Sequence, residues 1–230
     1  MILLESGRPQ VFCCCAGESC GLGYALAADP QKEMPMVKKA ELKPCPWSQG
    51  VSDAYMQYHD HEWGVPARDD QTQFEFLMLE GAQAGLSWST VLHKREGYRK
   101  AFAQFDPVKV SRFTPARCEK IRQNPAVIRN RLKIESAVTN ARAFLEVQAE
   151  FGTFCDYIWD FVDGETVLNK WRSQKQVPAT TKISDALSKD LKKRGFRFVG
   201  STIMYAHMQA TGMVNDHITS CYRYEACRNL

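Results

Sequence analysis

The stretch SDALSKDLKKRGFRFVGSTIMYAHMQA, residues 184–210, decides the fold. Ser184 opens a helix whose apolar side runs through Leu187 and Leu191. Its last turn, Lys192-Lys193-Arg194, suits the negative end of the helix dipole, and Gly195 stops it. Phe196–Gly200 forms a five-residue turn, after which Ser201-Thr202 cap a second helix running toward Ala210. Glycines at both ends of the turn let the backbone bend tightly and approach a ligand. The free N–H groups that start the second helix would face a phosphate oxygen. From Lys189 to Arg197, the basic residues Lys189, Lys192, Lys193, Arg194 and Arg197 face Asp190 alone, a local charge of +4. That is the footprint of contact with a DNA backbone, although a helical corner with a solvated basic face reads the same way.

Upstream the pattern stays helical. Phe74, Leu77 and Met78, then Gly81 and Ala82, trace one face of a helix. Asp106-Pro107 is an N-cap followed by proline at the first helical position. Ile134, Val138, Ala141 and Leu145 form a stripe that Gly152 closes, and Phe154, Tyr157, Ile158 and Phe161 form another. Strand-like alternation is scarce, so the expected class is all-α. Residues 1–40 show neither period and hold the cluster Cys13-Cys14-Cys15 and Cys20. They are expected to be a loose extension preceding a core at 41–230, and the natural start could be Met1, Met34 or Met36.

Composition is that of an ordinary globular protein, with 44% apolar and 24% charged residues. No run is apolar enough to span a bilayer, and the first residues lack the basic region of a secretory signal. A cytoplasmic monomer with no membrane contact is the expectation. The net charge of +4 lies wholly in residues 41–230, since 1–40 balance four basic against four acidic side chains. Nine cysteines without an export signal argue for metal ligation or buried thiols before disulfides.

His217 and Cys221 are four apart, the spacing of one helical face. With Cys45 and His59 they would complete a Cys₂His₂ set, which suits a closed structural zinc and leaves no position for a catalytic water. His61 and Cys227 remain rival ligands. Glu80 lies on an otherwise apolar helix, where a carboxyl must be paired or serve a ligand. Trp47, Tyr55, Tyr58, Trp63 and Trp88 supply flat side chains for a planar base, or simply core.

At these residues the chain resembles the 3-methyladenine DNA glycosylase I family, within the helix-hairpin-helix glycosylase superfamily. The resemblance runs from about Cys45 to Cys221. It is carried by YHDHEWGVP (58–66), LEGAQAGLSWSTVLHKRE (79–96), FDPVKV (105–110), SDALSKDLKKRGFRFVGSTI (184–203) and GMVNDH (212–217). It implies that Cys45, His59, His217 and Cys221 bind one structural Zn²⁺, tying the two ends of the core. It implies that Glu80 and Tyr58 hydrogen-bond the methylated base while Trp88 stacks on it, with Trp47, Tyr55 and Trp63 completing the box. The partner implied is double-stranded alkylated DNA. Lys192, Arg194, Gly195, Arg197, Gly200 and Ser201 would grip its backbone, and Gly85-Leu86 would fill the gap left by the extruded nucleotide.

Asp216 falls near the catalytic aspartate of other superfamily members, but beside His217 it ranks second to Glu80. Arg194-Gly195 stand where bifunctional members keep a lysine nucleophile, so base removal without strand cleavage is expected. Two rivals remain. A non-enzymatic DNA-binding module explains the hairpin and the zinc but not Glu80. A glycosylase for another base, such as 7-methylguanine or hypoxanthine, is not told apart by an aromatic pocket with one acid, while the resemblance around Glu80 favours 3-methyladenine.

Overall fold

The computed structural model describes residues 43–230, so the expectations for residues 1–40, their cysteine cluster and the start methionine lie outside it. Eleven α-helices make up the described part: α1 (Asp53–His61), α2 (Asp70–Gln83), α3 (Trp88–His93), α4 (Arg95–Ala101), α5 (Pro107–Ser111), α6 (Pro115–Arg122), α7 (Arg131–Phe151), α8 (Phe154–Asp160), α9 (Lys182–Lys193), α10 (Ser201–Ala210) and α11 (Tyr222–Arg228). The all-α expectation holds. The single sheet among the described residues is a two-residue parallel pair, β1 (Val167–Leu168) on β2 (Val214–Asn215). No helix among the described residues is long and apolar enough to cross a membrane.

Local chemistry sets the helix starts. Asp69, Ser87, Asp106, Thr114, Asn130, Thr153 and Thr181 each accept a hydrogen bond from the first turn of the helix they precede. Each such cap is worth about 1 kcal/mol. Two boundaries differ from the sequence reading. Helix α9 begins at Lys182, and Ser184 is the third residue of a capping box with Thr181. Gly200, not Ser201, is the N-cap of α10.

Helix α2 runs through the centre. The sequence stripe marks one face, yet every residue from Gln73 to Ala82 is buried, because neighbours cover the helix on all sides. Phe74 meets Phe144 of α7 at 5.1 Å between ring centroids, and Phe144 stacks on Phe154 of α8 at 4.2 Å. Leu187 and Leu191 of α9 and Met204 and Met208 of α10 complete the core. Central placement puts three polar side chains of α2 in the interior. Gln73 donates to the Ala67 carbonyl at 2.9 Å and bonds His207 at 2.8 Å. Glu75 receives Arg95 at 2.6 Å and Arg99 at 2.8 Å. Glu80 has no such partner among the described residues.

Candidate active site and metal centre

Cys45, His59, His217 and Cys221 are all buried, and their ligand atoms lie within 4.8 Å of one another. Cys45 Sγ is 3.5 Å from His217 Nδ1, and Cys221 Sγ is 3.6 Å from that atom and 3.5 Å from His59 Nε2. Sulfur and nitrogen bound tetrahedrally to one zinc, at ~2.3 and ~2.0 Å, lie ~3.5 Å apart. The donor set and its spacing therefore fit the ion. The second ring nitrogens are also placed. His59 Nδ1 bonds Asp60 at 2.7 Å, and His217 Nε2 bonds the Trp63 carbonyl at 3.0 Å. These contacts leave Nε2 of His59 and Nδ1 of His217 as the ligating atoms. Tyr222 donates in turn to Asp60. Without metal, Cys221 is driven low by the hydrogen bond from Cys45, whose own thiol is pushed up by the same contact.

One part of the spacing argument needs correction. His217 and Cys221 do not share a helical face. They flank a turn between β2 and α11, in which Cys221 N–H donates to the Ile218 carbonyl at 2.8 Å and Cys221 is the N-cap of α11. Of the rivals, His61 is exposed and Cys227 contacts Arg223, and neither belongs to the cluster. Gly64 shows how tightly the centre is packed. At φ 78° it lies against His217, and a Cβ there would come 3.0 Å from the ring.

His59 and His217 floor an aromatic box. Trp63 meets His217 edge-on at 4.6 Å, Trp47 meets His59 at 5.2 Å, and the two tryptophans meet at 4.9 Å. Tyr55 packs on Trp47 at 5.4 Å, and Tyr58 on Trp88 at 5.3 Å. These five rings with Glu80, Gln83, Gln174, Ala206 and Gln209 line a cavity of about 180 Å³. All six pocket residues expected from sequence thus share one cavity.

Glu80 is 3% exposed, and its Oε2 has no hydrogen-bond partner among the described residues. Burial pushes its carboxyl up to about 8. Trp88 Nε1 is the cavity's other buried unpartnered polar atom among the described residues. Burial, and then the nearby Glu80, raise the hydroxyls of Tyr58 and Tyr55, which therefore remain donors. Two orphaned groups in a ring-walled cavity mark a site built for a flat ligand with polar edges.

Gly85 and Leu86 lie in the exposed loop between α2 and α3, with Leu86 41% exposed. Lys133 of α7, which the sequence reading did not single out, holds this loop by donating to the Ala82 and Ala84 carbonyls at 2.8 and 2.6 Å. A second cavity, of about 380 Å³, separates the loop from Thr202, Ile203 and Ala206 of α10. It shares Glu80, Gln83 and Ala206 with the first.

The hairpin between α9 and α10 is braced from α7. Asn140 donates to the Arg197 carbonyl at 2.9 Å and accepts from Arg197 N–H at 2.8 Å. Gly195 adopts φ 90°, with its N–H on the Lys192 carbonyl and that of Phe196 on Leu191. Lys189, Lys192, Gly195 and Arg197 are exposed, Gly200 is partly so, and the Ser201 hydroxyl meets that of Ser184 at 2.8 Å. Arg194 differs from its neighbours. It pairs with Glu150 and Asp190, both at 2.7 Å, and lies over the rings of Phe151 and Tyr157. Asp190 is therefore not the only acid at the hairpin, and the free charge there is smaller than the local count of +4.

Asp216 is 1% exposed and accepts hydrogen bonds from Tyr205, Asn169, Trp171 and Gln209 at 2.6–2.7 Å. Gln83, Gln174, Ala206 and Gln209, also missed from sequence, complete the cavity. Position could have betrayed two of them. Gln83 lies one turn beyond Glu80 on α2, and Gln209 lies on the helix that leaves the hairpin.

Comparison with known proteins gives a consistent result. Residues 47–224 match the family described as methyladenine glycosylase. DNA-3-methyladenine glycosylase 1 of Escherichia coli (strain K12) is 47% identical over 183 residues, covering 80% of this chain and 97% of that protein. A crystal structure of 3-methyladenine DNA glycosylase I is similar with TM-score 0.76 and 48% identity, over 78% of this chain and 98% of that one. A tyrosine-to-phenylalanine variant of 3-methyladenine DNA glycosylase I, in complex with 3-methyladenine, is similar with TM-score 0.74 and 32% identity, over 76% and 95%. On this coverage and identity, the chain belongs to the methyladenine glycosylase family.

Proposed function

We propose that this protein is a DNA glycosylase that hydrolyses the N-glycosidic bond of 3-methyladenine in alkylated duplex DNA and leaves the strand uncut. The observation that carries the reading is the unpartnered carboxyl of Glu80 buried among five aromatic rings. The complex of a relative with 3-methyladenine supports it.

The damaged nucleotide leaves the stack, which costs a few kcal/mol and less for a damaged base. Leu86 fills the space, and the Gly195–Gly200 turn with Lys192 and Arg197 holds the backbone through amide and cationic contacts. The aromatic walls then take the cationic base, adding cation–π attraction to stacking. Glu80 meets that charge as a carboxylate. Burial keeps it protonated near neutrality in the free enzyme, so binding the cation releases its proton. The C1′–N9 electron pair moves into the ring and neutralises the base, so the leaving group needs no proton. Water adds to the oxocarbenium-like C1′ and loses a proton. Asp216, already committed to four donors, has a supporting place. Cys45, His59, His217 and Cys221 would hold one zinc, which supplies structure only because its four positions are all protein ligands.

Incubation with dimethyl-sulfate-treated DNA and chromatography of the released bases tests this. Release of 3-methyladenine with little 7-methylguanine is expected. No release from a folded, zinc-loaded protein would favour the DNA-binding module.

A further inference from the structure

Besides its rings and Glu80, the base pocket presents three primary amides, those of Gln83, Gln174 and Gln209. A primary amide donates through nitrogen and accepts through oxygen, so an amide free to rotate answers either edge of a ligand equally. Gln83 and Gln174 make no side-chain hydrogen bond among the described residues, and Gln174 is exposed. Gln209 is different. Its Nε2 donates to Asp216 Oδ2 at 2.7 Å, and its backbone carbonyl accepts from Gly64 N–H at 2.9 Å. Asp216 is itself held by Tyr205 Oη at 2.6 Å and by Asn169 Nδ2 and Trp171 Nε1, both at 2.7 Å. With three other donors on its carboxylate, Asp216 can only accept from Gln209. Reversing the amide would set oxygen against oxygen in a buried place. The amide is locked, and Oε1 is left as a fixed acceptor without a partner among the described residues.

We infer that Gln209, oriented by Asp216, is the residue that selects a 6-amino over a 6-oxo purine in this pocket. The inference rests on the pocket being a methylated-purine site. The amino group of 3-methyladenine donates to a fixed acceptor, whereas the carbonyl of 3-methylguanine or 3-methylhypoxanthine faces it oxygen to oxygen. A site built around such a bond rejects the analogue that leaves it unmade. Glu80 does not enforce this distinction by itself: it accepts when it meets the base as a carboxylate, but it can keep its proton and donate to a 6-oxo edge, whereas the held Gln209 oxygen can only accept. Asp216 is a positioning residue, acting only through Gln209.

The test measures 3-methyladenine and 3-methylguanine released from one sample of dimethyl-sulfate-treated DNA. Gln209→Met should lower the ratio of the two rates at least about tenfold, which is ~1.4 kcal/mol, with metal content unchanged. Asp216→Asn should lower it in the same direction with Gln209 intact, because the amide can then turn. A Gln209→Met ratio within about twofold of wild type overturns the inference. An unchanged ratio in a folded, metal-loaded Asp216→Asn overturns the positioning role. Competition by free bases reads the same preference without any variant. Free 3-methyladenine should bind wild type at least about tenfold better than free 3-methylhypoxanthine, and equal binding overturns the inference. A wild-type protein that releases neither base removes the glycosylase reading, and this inference falls with it.

Discussion

On the proposed function, Glu80 is the residue where stability and activity oppose each other. Its folded-state carboxyl sits near 8 against an ordinary 4.5, raised by burial. The folded state therefore holds a proton that the unfolded chain gives up. Stability declines as pH rises from about 4.5 to about 8, by an amount on the order of a few kcal/mol. Glu80→Gln should remove that penalty. Its Tm should exceed that of wild type at pH 8 and match it below pH 4.5, while single-turnover excision falls roughly 100-fold or more. Asp216→Asn should cost much less activity than Glu80→Gln, and the reverse order would sink the Glu80 assignment. In wild type, kcat/KM on alkylated DNA should climb with pH and level off above about 8, as the free enzyme acquires its carboxylate. A flat profile from pH 6 to 9 would contradict this. Glu80 was legible in the sequence as an acid on an apolar helix. Its isolation was not, because the same pattern fits Glu75, which Arg95 and Arg99 neutralise from α4, twenty or more residues away.

At the scale of elements, the hairpin was read almost whole. Gly195 and the basic last turn of α9 mark it because its signals are local. What escaped came from other helices. Asn140 clamps the turn from α7, and Glu150 of α7 takes up Arg194. These contacts separate two arginines that look alike in sequence. Arg197→Ala should weaken binding to any duplex and lower the slope of log K against log salt by about one. Arg194→Ala should leave the slope near that of wild type and lower Tm instead, since it removes ion pairs and packing over Phe151 and Tyr157. Equal slope changes would place Arg194 on the DNA. The spacing of His217 and Cys221 failed in an instructive way. Four residues suit a helical face, but a turn ending in an N-cap brings the same two side chains together.

Across the whole molecule, the candidate metal centre and the ring-walled cavity share walls. Trp47 and Trp63 pack on the imidazoles of His59 and His217 and also line the cavity. One zinc per chain is expected by atomic spectroscopy. Its removal by a chelator should lower Tm, shift tryptophan emission and abolish base binding together. Metal loss that leaves emission and binding intact would show the two sites to be independent. The ligand set was legible as residue types. That its rings also floor the pocket was not, because contacts across more than 150 residues leave no local pattern.

The order of the ligands along the chain has a further consequence, in biosynthesis. His59 precedes Cys221 by 162 residues. At ordinary translation speeds of 5–20 residues per second, the first two ligands wait roughly 10–30 s for the last. For that interval Cys45 and His59 would be an open half-site beside unpacked tryptophans, available to oxidants, to other metals and to chaperones. On the proposed reading, a zinc bond that completes the pocket would thus form only after Cys221 has been made, and damaged bases could be bound only after that point.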